Sequence, residues 1–154
     1  MDAVYRLSFA ILADEADARD AAQDTFVTAW RQIGRLRDPE RFDAWLQRVA
    51  VNAARMTHRA RRRRGVREIP ASHVGEMAEL PVTASVEIDA RRLEAALGRL
   101  SIDQRSILAL HHLEGRSLAE LAEILDIPSG TVKSRLHTAR QALHAALLAE
   151  AIER

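Results

Sequence analysis

Residues Ser117 to Leu143 read SLAELAEILDIPSGTVKSRLHTARQAL, and this stretch decides the fold of the second half of the chain. Ser117 with Glu120 three positions on makes a capping box, which opens a short helix whose apolar face is Leu118, Leu121, Ala122 and Leu125. Pro128 blocks continuation of that helix and Ser129 can cap the next one, in which Val132, Leu136, Ala139 and Leu143 recur at helical spacing. Two short capped helices joined by DIPSG, a turn of about four residues, are the sequence form of a helix-turn-helix. With Val132 pointing inward, Lys133, Ser134, His137, Thr138 and Gln141 lie on the outward half, and no acid occurs from Thr131 to Leu148. Such a face suits the major groove, because base edges are read by hydrogen bonds and carboxylates are repelled by phosphates. A solvated helix face is the plainer alternative for the same residues.

Working outward, Leu93, Ala96, Leu97 and Leu100 mark a helix, and SIDQ at Ser101 to Gln104 is a second capping box opening a helix through Leu113, closed by Gly115. In the amino-terminal half, Val4, Leu7 and Ile11 predict a short first helix. A second carries Ala22, Phe26, Ala29, Trp30 and Ile33 on one apolar stripe, with Asp20, Gln23 and Asp24 opposite Phe26 and Trp30, and is closed by Gly34. After Pro39 a long third helix repeats Phe42, Trp45, Leu46, Val49, Ala53 and Met56 and runs into HRARRRRG. No run alternates with period two, so the chain reads as all-α. From Gly65 to Ile88 the apolar period is lost and Pro70 and Pro81 appear, which predicts a linker over 65–88 between helical domains at 1–64 and 89–154.

The 154 residues suffice for two small domains; their 47% apolar and 29% charged content is that of a folded globular chain. The net charge of +1 hides segregation. Residues 1–30 hold two Arg against six acids, 31–64 eleven Arg against three acids, and 65–88 one Arg against four Glu. A polyanion partner is expected for one patch and a different partner for the acidic one. With no Cys, thiol catalysis, disulfides and thiolate metal sites are excluded. The first residues lack the basic start of a secretory signal, and no window approaches the roughly 18 apolar residues of a membrane span, so a cytoplasmic protein without membrane insertion is expected.

No catalytic motif is present. PSGTVKS lacks the second glycine and the preceding strand of a phosphate-binding loop, and neither HExxH nor G-x-S-x-G occurs. Asp14, Glu15, Asp17 and Asp20 sit where a helix start favours carboxylates, which is a simpler account than a metal site. The expectation is no enzyme, no cofactor and no metal. Arg41, Arg48, Asn52, Arg55 and Arg59 share one long helix with Trp45, joining phosphate attraction to groups able to engage unstacked bases, although core packing explains Trp45 equally well.

Taken together, DARDAAQDTFVTAWR, FDAWLQRVAVNAARMTHRARRR and the opening stretch, in this order around a linker, resemble the bacterial sigma-70 initiation factors, specifically the extracytoplasmic-function (ECF) subgroup. The resemblance implies region 2 at 1–64, an acidic linker and region 4 at 89–154, a winged-helix-like helix-turn-helix. It implies binding to core RNA polymerase through the clamp helices of the largest subunit and the flap region, with Asp20, Gln23, Asp24 and Arg31 as clamp contacts. Promoter DNA would be met at the minus-ten element by Arg37, Arg41, Trp45, Arg48, Asn52, Arg55, Arg59 and Arg62, with the strands melted there. The minus-thirty-five element would be met by Ser129, Thr131, Lys133, Ser134, Arg135, His137 and Thr138. Many family members are held by an anti-sigma factor, which is therefore a candidate partner. Three departures stand out: the first helix is short for the family, Met56 stands where Asp is common, and Thr138 stands where Arg is usual. The alternative is a stand-alone helix-turn-helix regulator, for which the acidic helix would have no use.

Overall fold

The computed structural model describes residues 1–65 and 90–152. Helix α1 (Asp2–Leu12) buries Val4, Leu7, Ser8, Ile11 and Leu12 and stops where Ala13 turns left-handed at φ 54°. Helix α2 (Glu15–Gln32) starts at Asp14, whose carboxylate accepts the Asp17 amide at 2.9 Å. Its buried stripe consists of small residues, Ala18, Ala21, Ala22, Thr25 and Ala29, and the Thr25 hydroxyl donates to the Ala21 carbonyl at 2.7 Å. Small side chains let α2 lie close against α1 and α3 (Phe42–Arg63), which inserts Val49, Ala50, Val51 and Ala54 into the same core. Single 3-10 turns at Ile33–Arg35 and Pro39–Arg41 carry the chain from α2 to α3.

Two expectations about these helices fail. The stripe assigned inward on α2 is split: Ala22 and Ala29 are buried, but Phe26, Trp30 and Ile33 are exposed, Trp30 by 84%. On α3 Met56 is 65% exposed, and Ala50, Val51 and Ala54 take the deepest positions. In both helices an apolar period was followed by size, whereas close helix approach selected the smaller side chains.

The second unit is built from α4 (Ala90–Gly98), α5 (Ile102–Leu108), α6 (Leu118–Leu125) and α7 (Ser129–Ile152). Both capping boxes form: Ser101 with Gln104 opens α5, and Ser117 with Glu120 opens α6. Past Leu108 the helix widens into a π-helical turn, Ala109–Leu113, in which the Glu114 amide reaches the Ala109 carbonyl at 3.1 Å. Gly115 at φ +66° then reverses the chain, a conformation that favours glycine. Asp126 ends α6 at φ 53°, and the carbonyl of Pro128 accepts from the Thr131 and Val132 amides. Ser129 is thus already the first residue of α7 instead of its cap, because the proline carbonyl supplies the first acceptor.

No strand occurs among the described residues, as expected for an all-α chain. The two helical units share one apolar cluster: α1 packs on α5 and on the π-helical turn, while α3 lies along α6. The expected linker over 65–88 lies, apart from Gly65, outside the described residues. No described helix is long and apolar enough to cross a membrane.

Candidate nucleic-acid and polymerase interfaces

At steps of three and four residues, the six candidates from Trp45 to Arg62 fall on a single face of α3, and Arg41, at the end of the 3-10 turn before it, precedes Trp45 by one such step. Trp45 is half-buried against Phe42, with ring centroids 5.9 Å apart, so it combines the packing and exposed readings. Asn52, Arg59 and Arg62 are exposed, as is Arg37 in the preceding loop. The other three arginines meet acids of the second unit: Arg41 pairs with Glu123, Arg48 with Asp126 at 3.6 Å and Arg55 with Asp103 at 3.1 Å. Beside them the Gln47 amide donates to Glu114 at 2.9 Å and accepts from Arg116 at 2.7 Å. None of these pairings has a local sequence signal.

On α7, Val132, Leu136 and Ala139 are buried, while Lys133, Ser134, Arg135, His137 and Thr138 are exposed, with Ser129 exposed and Thr131 half-buried. The Ser134 hydroxyl donates to the Thr131 carbonyl at 3.0 Å, leaving its oxygen lone pairs outward. Arg135 sits on the flank, where it borders an inter-unit cleft of about 1200 Å³ that Arg55, Arg59 and Arg62 also line. Lys133, Ser134 and His137 instead share a smaller groove with His111, Leu118 and Arg140. Arg140 was missed in the sequence, although it stands seven residues after Lys133 and is exposed. Its Nε lies 3.4 Å from the His112 ring nitrogen Nε2. Burial, then the neighbouring His111 and Arg140, push the His112 pKa down, which favours the neutral ring that accepts from Arg140.

The outer face of α2 differs in kind. Asp20, Gln23, Asp24 and Arg31 are all exposed there, and so are Phe26, Val27 and Trp30. The polar and bulky apolar side chains were expected on opposite sides; they instead form one surface, because the alanines fill the inward side. An exposed tryptophan ringed by polar residues is the usual make-up of a protein-binding surface.

Asp14 and Asp17 clamp Arg61 near the far end of α3, at 3.0 and 2.6 Å. The Asp17 amide bond and the Arg61 guanidinium hold the Asp14 pKa below the ordinary value, against an opposing effect of burial. The amide of Ser117, helped by Arg116, likewise lowers the Glu120 pKa in its capping box.

Residues 1–64 match the family model for Sigma-70 region 2, and residues 90–143 match the model for Sigma-70, region 4. The chain is 33% identical over 145 residues to the ECF RNA polymerase sigma factor SigE of Mycolicibacterium smegmatis, covering 92% of this chain and 56% of that protein. It is 30% identical over 154 residues to the ECF RNA polymerase sigma factor SigW of Bacillus subtilis, covering 92% of this chain and 81% of that one. Among solved structures it resembles the sigma factor RpoE in complex with the anti-sigma factor NepR from Bartonella quintana. The TM-score is 0.72 at 27% identity, covering 95% of this chain and 90% of that one. With both conserved regions matched in order and a relative at 30% identity covered over 81% of its own length, the chain belongs to the sigma-70 family of RNA polymerase sigma factors, in its ECF group.

Proposed function

We propose that this protein is a cytoplasmic transcription initiation factor that binds core RNA polymerase, reads two promoter elements and opens the DNA between strands without covalent chemistry. The single observation that carries the reading is the α3 face, on which cations, an amide and an indole share one line. Arginines along such a line follow a phosphate backbone, while Asn52 and Trp45 offer hydrogen bonding and a stacking edge to a base taken out of the duplex. Extruding a base costs a few kcal/mol, and stacking of about 1 to 3 kcal/mol per base can offset that cost once the strand is single. Melting is then selective binding of the open strand.

The acid-free face of α7 reads the upstream duplex, with Lys133, Ser134 and His137 central and Arg135 and Arg140 at its flanks. Thr138 contributes a hydroxyl where the family more often has a guanidinium. The α2 face docks on the clamp helices of the polymerase, Trp30 and Phe26 supplying apolar anchors and Asp20, Gln23, Asp24 and Arg31 the polar rim; the flap region meets the second unit. The Bartonella relative is described with an anti-sigma factor, and a protein of that kind is a proposed partner here.

The test is co-sedimentation with bacterial core polymerase followed by run-off transcription from a two-element promoter. Binding and run-off are expected, with Asp24→Arg weakening polymerase binding while leaving upstream duplex binding intact. No association with core polymerase would overturn the proposal in favour of a stand-alone regulator.

A further inference from the structure

Arginines from both units gather around one concave volume. The cleft of about 1200 Å³ between the units is lined by Arg55, Arg59 and Arg62 of α3, by Arg99 in the turn after α4, by Arg105 of α5 and by Arg135 of α7. Asp103 is the one carboxylate among the described residues that line it, and Arg55 already engages it at 3.1 Å. Arg99 meets Glu150 at 2.7 Å. Arg59, Arg62 and Arg135 are exposed and have no ion pair among the described residues. The half-buried Ile102 and Ile127 supply an apolar part of the wall.

We infer that this cleft is a binding site for a compact polyphosphate anion with three or more negative charges, the chemistry shared by nucleoside triphosphates and short inorganic polyphosphates. The inference concerns the free chain and does not depend on the promoter roles proposed above. Like charges set around a concave wall add their fields and concentrate small anions from solution. Guanidinium groups take phosphate oxygens in paired, charge-assisted hydrogen bonds, so Arg59, Arg62 and Arg135 match three phosphate charges with three uncommitted donors. The volume is ample for a nucleotide, since sites for small ligands commonly span roughly 300 to 1,000 Å³. An extended strand is a poorer occupant: running along α3 it meets only Arg55, Arg59 and Arg62, whereas a compact anion is reached from both units at once.

The test is isothermal titration calorimetry of the full chain with tripolyphosphate and, separately, with ATP, both free of divalent cations, at about 0.1 M salt. Saturable binding of at least one of them is expected, with Kd below about 1 mM. Arg59→Gln and Arg135→Gln, made singly on the two units, should each weaken it about 10-fold, the loss of one charge-assisted contact. The double variant Arg6→Gln, Arg35→Gln removes two exposed arginines that do not line the cleft and should change affinity by less than about 2-fold, because distant exposed charges are screened. All four changes are at exposed positions, and circular dichroism matching the parent checks that each variant is folded. Tighter binding of ATP than of tripolyphosphate assigns the nucleotide source, with its base on the apolar wall; equal or weaker binding of ATP assigns the inorganic chain. No saturable binding of either ligand up to about 1 mM would overturn the site. An equal loss in the Arg6, Arg35 variant would reduce it to diffuse attraction and overturn it as well. Loss with Arg59→Gln and none with Arg135→Gln would put the anion on α3 alone and refute a site built from both units.

Discussion

Helices α3 and α7 carry the same kind of charge, and they differ in what stands opposite it. Along α7 no acid occurs from Thr131 to Leu148, and no other element pairs a carboxylate with Lys133 or His137 among the described residues. Along α3 the same absence of local partners is reversed by the fold, which brings Asp103, Glu123 and Asp126 across from residues 48 to 82 positions away in sequence. Within α3 itself a second contrast appears. Arg61 is clamped by two carboxylates and is only 22% accessible, whereas Arg48, with one carboxylate at 3.6 Å, is far more open. A basic helix thus holds two sorts of arginine: one that builds the domain and others whose partners can be exchanged. How firmly each is held follows from the partner, not from the charge count.

The largest expected effect breaks the α7 side of the comparison. Leu136 is 3% exposed on the inner side of α7, and Leu136→Ala should cost about 3 kcal/mol through lost burial and the cavity left behind. Urea denaturation followed by tryptophan fluorescence and by circular dichroism would measure it; both Trp30 and Trp45 lie in the first unit, so the fluorescence reports α2 and α3 alone. Coincident loss in both transitions is expected, because α1 packs on α5 and the π-helical turn within one shared apolar cluster. An ellipticity transition ahead of the fluorescence transition would mean that the units unfold separately and are joined by their exposed ion pairs only.

The next effect concerns the clamped arginine. Arg61→Met keeps the aliphatic stem and removes the donors to Asp14 and Asp17, leaving two half-buried carboxylates facing each other, for a loss of about 2 kcal/mol. Its pH dependence has a definite sign. The folded-state pKa of Asp14 is lowered, so its contribution is complete above the ordinary value of 3.8 and is lost as pH falls through the lower folded value. Thermal melts of the parent should therefore lose stability on acidification below about pH 4, and those of Arg61→Met less steeply. Equal slopes would show that the Asp17 amide alone, the largest cause of the shift, holds the carboxylate.

Much of this arrangement was legible beforehand. In each capping box the partners lie three residues apart and use only local bonds, so Ser101 with Gln104 and Ser117 with Glu120 could be read directly. The turn before α7 and the buried Val132, Leu136 and Ala139 follow from proline chemistry and period in the same way. The exposed Phe26 and Trp30 could not be read that way, since a period shows that a stripe exists and not whether it faces its own core or another protein. Alanines 18, 21, 22 and 29 were the available signal: a stripe of small residues at helical spacing marks where neighbouring helices approach. The π-helical turn at Ala109–Leu113 and the pairing of Arg41 with Glu123 had no local signal, because each depends on where the second unit settles against the first.

The smallest expected effect is the most discriminating. A double-mutant cycle on Arg48→Gln and Asp126→Asn, followed by urea denaturation, should give a coupling energy below about 1 kcal/mol that shrinks as salt is raised. The separation of 3.6 Å and the 82% accessibility of Asp126 both argue for strong solvent screening. The same cycle on Arg61→Met and Asp17→Asn should give a larger coupling that responds less to salt, since both side chains are largely shielded and the contact is 2.6 Å. An Arg48 coupling as large and as salt-insensitive as that of Arg61 would erase the distinction between building and exchangeable arginines on α3.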